Sequence, residues 1–119
     1  MKVIVCGAGQ VGFNIAHTLA AENNDVTVID QRPDLLRKIS DTLDVQVVQG
    51  FASHPAVLEQ AGAADANMVI AVTAADEVNM VACQVAHSLF NVPTKIARIR
   101  SQSYLQPIWA NLFTRDHLP

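Results

Sequence analysis

The first thirty residues constrain this chain most. An apolar run, Lys2-Val-Ile-Val-Cys6, leads directly into Gly7-Ala8-Gly9-Gln10-Val11-Gly12. A helical stretch follows, and a second apolar run from Val26 closes on Asp30. Glycines at this spacing between a strand and a helix, with an acid at the tip of the next strand, form the fingerprint of a dinucleotide-binding turn. Gly7 lets the chain turn tightly off the strand. Gly9, without a Cβ, leaves the backbone open to a pyrophosphate, and Gly12 lets the helix pack close to the sheet. The helix begins with unpaired N–H groups and a partial positive charge aimed at the phosphates. Asp30 is placed to accept hydrogen bonds from a ribose 2′- and 3′-hydroxyl. A ligand-free turn would explain Gly7 and Gly12, but neither Gly9 nor Asp30.

The rest of the chain repeats the strand–helix alternation. The patterning predicts strands over 2–6, 26–30, 45–49, 68–72 and 95–100. It predicts helices over 10–22 (Val11, Ile15 and Leu19 inward), 33–43 (Leu35, Leu36, Ile39 and Leu43 inward) and after Ser53, which is placed to cap a short helix ended by Gly62. The longest helix starts near Thr73-Ala-Ala-Asp76, read as a capping box, with Val78, Val81, Val85 and Leu89 inward. It stops at Asn91-Val-Pro93. A further helix is expected from Ser103 through Trp109 to Leu112. These elements make an α/β, doubly wound parallel sheet of Rossmann type, with five strands in order 3-2-1-4-5. Residues 1–119 read as a single dinucleotide-binding domain. A doubly wound sheet usually has six strands, so the natural protein is expected to continue past Pro119 and the sixth strand to be lost by truncation.

Composition narrows the function. Of 119 residues, 50% are hydrophobic and only 16% are charged, which suits central strands covered on both faces. The net charge of -3 argues against nucleic acid as a partner. No apolar run is as long as a membrane span, and no signal peptide opens the chain, so a soluble, cytoplasmic protein is expected. Cys6 and Cys83 read as reduced core thiols, and His17, His54, His87 and His117 lack ligand spacing, so no metal is assigned.

In such a sheet the strands' carboxyl ends meet at one crevice. The residues expected there are Gly7, Ala8, Gly9, Gln10, Val11 and Gly12; Asp30, Gln31 and Arg32; Gly50, Phe51 and Ala52; Thr73 and Ala74; and Arg98 or Arg100. Arg32 lies over an adenine or near a 2′-phosphate, or is simply solvated. Phe51 walls the adenine with Ala52 or only packs. Thr73 either meets the ligand or only caps its helix. Arg98 needs an anion, with Asp76 or Glu77 as the alternative partner. Asp30 would repel a 2′-phosphate, which favours NAD(H) over NADP. Hydride transfer needs a substrate pocket and a proton donor or acceptor, and there is room for neither. The expectation is a nucleotide-responsive module, not an enzyme; the alternative is the cofactor half of an NAD-dependent dehydrogenase.

Several stretches resemble a known family. They are residues 1–12, Val28-Ile-Asp30, Gly50 with Ser53-His-Pro-Ala-Val-Leu58, Ala61-Gly-Ala-Ala-Asp65-Ala66, Val69-Ile-Ala-Val-Thr73 with Asp76-Glu-Val-Asn79-Met80, Ile96-Ala-Arg98, and Trp109 to Leu118. Together they are similar to the RCK or KTN domains of bacterial potassium-uptake regulators, and the resemblance covers essentially the whole chain. It implies a cytoplasmic ring of such domains, a homo-oligomer, docked on the membrane subunit of a potassium transporter. It implies NAD(H), or alternatively ATP or ADP, in the crevice, contacted by Gly7 to Val11, Asp30, Thr73-Ala74 and Arg98. Phe51, where many relatives have an acid, and Gln10, where ATP-binding relatives often have an arginine, depart from the pattern. The apolar helix faces, with Trp109 and Phe113, also point to self-association.

Overall fold

A computed structural model describes residues 1–101. Five parallel strands form one sheet in the order β3-β2-β1-β4-β5, as expected. Along the chain these are β1 (Lys2–Cys6), α1 (Gln10–Ala21), β2 (Asp25–Asp30), α2 (Pro33–Thr42), β3 (Gln46–Gln49), α3 (Pro55–Gln60), a 3-10 turn (Ala63–Asp65), β4 (Met68–Ala71), α4 (Asp76–Phe90) and β5 (Thr94–Ala97). β1 is central. It pairs with β2 from Lys2 against Asp25 to Cys6 against Ile29, and with β4 from Val3 against Met68 to Cys6 against Ala71.

Alternation along each strand sends side chains to opposite faces, and both faces are covered. Val3, Val5, Val26, Val28 and Ile70 meet Ala16 of α1 and Leu36 and Ile39 of α2. Ile4, Cys6, Ile29, Val69 and Ala71 meet Leu58 of α3 and Ala82, Cys83 and Ala86 of α4. Each fully buried valine or isoleucine stabilises the fold by roughly 1.5–3 kcal/mol relative to exposure. Both cysteines are reduced and buried. Desolvation pushes the Cys83 thiol up to about 11 and Cys6 further still, so neither is a nucleophile at neutral pH.

The departures from sequence patterning are local. The cap position of α3 is His54, not Ser53, and no side chain caps that helix. Of the residues placed inward on α1, Ile15 and Leu19 pack against the core, whereas Val11 is exposed. On α4, Val81 and Leu89 are exposed, and the buried face is Asp76, Asn79, Ala82, Cys83 and Ala86. Here small residues allow the helix to sit close to β4, and the larger valines ride at the margin. β5 ends at Ala97, so Arg98 and Arg100 follow the strand rather than belong to it. The expected helix from Ser103 to Leu112, and Trp109 and Phe113 with it, lie outside the described residues.

Candidate nucleotide-binding cleft

The strands' carboxyl ends open onto a cleft of about 470 Å³, within the range of small-molecule sites. Its floor is the turn from β1 into α1. Gly7 has φ +115°, and a Cβ there would lie 2.9 Å from the Val72 carbonyl oxygen. A Cβ on Gly12 would run into the Gly7 carbonyl oxygen. The tight contact at Gly12 is thus with the turn itself, not with the sheet. Gly9 differs: nothing stands within 4 Å of a Cβ built there. Gly9 also occupies the cap position of α1 and supplies no side-chain cap. The first N–H groups of an α-helix have no intrahelical acceptor, so this helix presents donors and its positive end at an open, Cβ-free edge of the cleft.

Asp30 stands at the tip of β2. Its Oδ2 accepts the Ala8 N–H at 2.8 Å and its Oδ1 accepts the Arg32 N–H at 2.9 Å. The carboxylate therefore staples the glycine turn to the end of β2, and each oxygen keeps lone-pair capacity for a further donor. The Arg32 side chain is drawn aside: its Nε and Nη2 donate to Asp34, the shorter contact being 2.7 Å, and both side chains are largely exposed. Asp34 is held below the usual carboxylate range, first by that hydrogen bond. Phe51, half exposed, tilts against His54 with ring centroids 5.3 Å apart and forms the outer wall beside Ala52.

The opposite wall is the loop after β4. The hydroxyl of Thr73 lies 2.7 Å from Asn79 Oδ1, and Ala75 N–H reaches that hydroxyl at 3.3 Å. The expected capping box is absent: α4 begins after Ala75, with no side chain capping it. Asp76 instead accepts the backbone N–H groups of Arg100 and Ser101, at 2.9 and 2.7 Å, which hold its carboxyl below the usual range. The Nη2 of Arg98 donates to the carbonyls of Val72 and Thr73 at 3.0 and 2.9 Å. The guanidinium thus uses backbone acceptors just past the end of β4 while it lines the cleft. Its Nε is buried without a hydrogen-bond partner.

The model of the TrkA-N domain matches residues 3–115. The chain belongs to the TrkA-N family. A Trk system potassium uptake protein TrkA from Azorhizobium caulinodans is 61% identical over all 119 residues, which are 26% of its own length. The chain thus spans about a quarter of this curated relative. Among solved structures, a Shewanella denitrificans Kef C-terminal domain in AMP-bound form superposes with a TM-score of 0.74 at 24% identity, covering 88% of this chain and 65% of that one. A GsuK channel bound to NAD gives 0.67 at 20% identity, over 78% of this chain and 17% of that one. At these identities the structures attest the fold alone. The relatives bear the name of an uptake protein rather than of an enzyme, so the dehydrogenase alternative loses its ground.

In this TrkA-N domain the cleft is lined by Gly7, Gly9, Gln10, Val11, Asp30, Gln31, Arg32, Gly50, Phe51, Ala52, Thr73, Ala74 and Arg98. Two expected residues do not line it. Ala8 is buried behind the turn and reaches the site only through its N–H, and Gly12 is buried against Gly7. Ile29, Leu35, Val72, Ala75 and Val78 complete the lining. Ile29, Leu35, Val72 and Val78 were missed because each reads as core in a strand or helix pattern, and Ala75 because it lies within the stretch read as a capping box. Asn79 was missed as a structural member of the site, although the Asp76-Glu-Val-Asn79 stretch was the signal that could have found it. Among the described residues, no group of three or more His, Cys, Asp or Glu could hold a metal ion, and no helix is long and apolar enough to cross a membrane.

Proposed function

We propose that this domain is the nucleotide-sensing part of a potassium-uptake regulator and takes NAD(H), with ATP or ADP as the alternative ligand. The observation that carries this reading is the uncapped start of α1 at Gly9, whose missing Cβ faces open space. A pyrophosphate would sit there against backbone donors, which is how helix N-termini bind anions. The adenosine half would lie toward β2, with its ribose hydroxyls donating to Asp30 and its adenine beside Phe51 and Ala52. The AMP- and NAD-bound states of the two structural relatives support an adenine nucleotide in this fold. Asp30 favours a free 2′-hydroxyl over a 2′-phosphate.

The name of the relatives supports a partner that is the membrane subunit of a potassium transporter. The domain would act from the cytoplasmic face as a homo-oligomer, with ligand identity biasing one of two arrangements. A nucleotide does this only through different affinities for the two states. Calorimetry with NADH, NAD, ATP and ADP on wild type and Gly9→Ala tests the site. Gly9 has φ −71° and open space around it, so alanine fits the fold. The expected result is an unchanged melting temperature and a loss of about tenfold or more in nucleotide affinity, equivalent to about 1.4 kcal/mol. Equal affinities in the two proteins, or no binding tighter than about 1 mM to wild type, would remove the sensing role; 1 mM corresponds to only about 4 kcal/mol of binding.

A further inference from the structure

Asn79 is fully buried and does not line the cleft, yet it controls the wall that Thr73 and Arg98 present to it. Its amide is fully used. Oδ1 accepts the Thr73 N–H at 2.9 Å and faces the Thr73 hydroxyl at 2.7 Å; Nδ2 donates to the carbonyls of Thr73 at 3.2 Å and Arg98 at 2.9 Å. Two donors and two acceptor sites are all that an asparagine amide has. Carbonyl oxygens can only accept, so Nδ2 must face Thr73 and Arg98 and Oδ1 must face the N–H and hydroxyl of Thr73. The amide orientation therefore follows from its neighbours.

That orientation has a chemical consequence for Thr73. Oδ1 has no proton to give, so the hydroxyl must give its own. The competing acceptor, the Ala75 carbonyl, is farther away at 3.2 Å. The Ala75 N–H then takes one hydroxyl lone pair at 3.3 Å and leaves one for the cleft. We infer that Asn79 is a positioning residue that fixes the Thr73 hydroxyl as a hydrogen-bond acceptor, so that the β4 side of the cleft selects a ligand half carrying donors. This deepens the nucleotide reading above and rests on it. Asp30 stands on the β2 side of the central strand and Thr73 on the β4 side, with the glycine turn between them. Thr73 borders the glycine turn, its backbone N 3.1 Å from a Cβ built on Gly7. An adenosine diphosphate held toward β2 ends there in phosphate oxygens, which only accept, whereas a second nucleoside brings sugar hydroxyls or a carboxamide that supply the donors the wall requires. The class selected is a dinucleotide over a mononucleotide.

The test is calorimetry with NADH and ADP as probes on the 119-residue chain, comparing wild type, Asn79→Ala, Thr73→Val and Thr73→Ser. Asn79→Ala and Thr73→Val are expected to weaken NADH about fivefold to tenfold, the worth of one well-placed hydrogen bond, and to leave ADP within about twofold of wild type. Thr73→Ser, which keeps the hydroxyl, is expected to retain the wild-type ratio of the two affinities. A merely structural role for Asn79 would weaken both ligands alike. Should Asn79→Ala fail to fold, Thr73→Val against Thr73→Ser decides the matter alone. Equal losses for NADH and ADP, no loss for either, or a wild type that binds ADP but not NADH would each overturn this inference while leaving a nucleotide site in place. A wild type that binds neither removes the proposed function and this inference with it.

Discussion

The two walls of the cleft are made by opposite means. Toward β2 the wall is made of absences: no Cβ at Gly7, Gly9 or Gly12, no cap on α1, and one carboxylate pinning the turn. Toward β5 it is made of additions. A buried amide and a buried carboxylate, three residues apart on the first turn of α4, reach across to the chain at Arg98, Arg100 and Ser101. The first wall is rigid because backbone atoms leave no room at Gly7 and Gly12, while Gly9 stays open to the cleft. The second is held by polar bonds between segments far apart in sequence, each of which can be lost singly. A site built this way has one side suited to gripping a constant group and another suited to discriminating.

The largest effect that would break this contrast is on the first wall. Gly12→Ala drives a methyl into the Gly7 carbonyl, and neither backbone segment can yield. We expect a loss of about 3 kcal/mol or more in urea unfolding, at the severe end for a single substitution, with nucleotide binding lost together with the turn. Wild-type stability in the Gly12→Ala variant would mean that the turn is not close-packed.

A smaller effect, dependent on pH, sharpens the second wall. Two backbone N–H groups keep the Asp76 carboxyl below the ordinary aspartate range. The folded state therefore binds fewer protons at this site than the unfolded chain does. Its stabilisation is complete above about pH 4 and is lost as pH falls through the folded-state value. Asp76→Asn carries no such titration. Urea midpoints should show the variant least stable relative to wild type near neutrality, with the gap closing in acid. A gap that does not vary with pH would show that the carboxylate's charge plays no part in holding this corner.

The smallest effect is expected at the exposed Arg32–Asp34 pair. Solvated ion pairs contribute little, so Asp34→Ala should leave the melting temperature where it is. A measurable drop would place this pair among the elements that build the β2 wall.

The contrast also explains which parts were legible beforehand. The glycine turn and the alternation of Val3, Ile4 and Val5 are short-range patterns, and a steric or periodic requirement within a dozen residues leaves its mark on the sequence; Asp30, 22 residues from the Ala8 N–H it accepts, is legible because an acid at the tip of the next strand belongs to the same fingerprint. The strand order follows from the same alternation together with right-handed crossovers. The second wall left no such mark. Thr73 and Asp76 stand at capping-box spacing, and nothing local says that the acid turns instead to Arg100 and Ser101 or that Asn79 takes the threonine. The chain at Arg98, Arg100 and Ser101 is brought there by the tertiary pairing of β4 with β5. Arg98 departs from the strand pattern for a related reason. A strand pattern placed it inside β5, but the strand ends one residue earlier and the guanidinium turns back onto the carbonyls of Val72 and Thr73. Val81 and Leu89 fit an inward helical stripe by spacing, but the small side chains Ala82 and Ala86 permit closer approach and took the inward face.

The place of β1 at the middle of the sheet has a consequence for biosynthesis. Its partner on one side, β2, follows after a single helix, but on the other side Val3 must wait for Met68. A nascent chain carries the glycine turn early, yet the half of the crevice beyond it is missing until β4 and α4 have left the ribosome. Long-range parallel pairing of this kind is slow to form and exposes apolar edges meanwhile. Any metabolite that occupies the finished crevice would act on these domains only after translation has passed well beyond the motif that announces them.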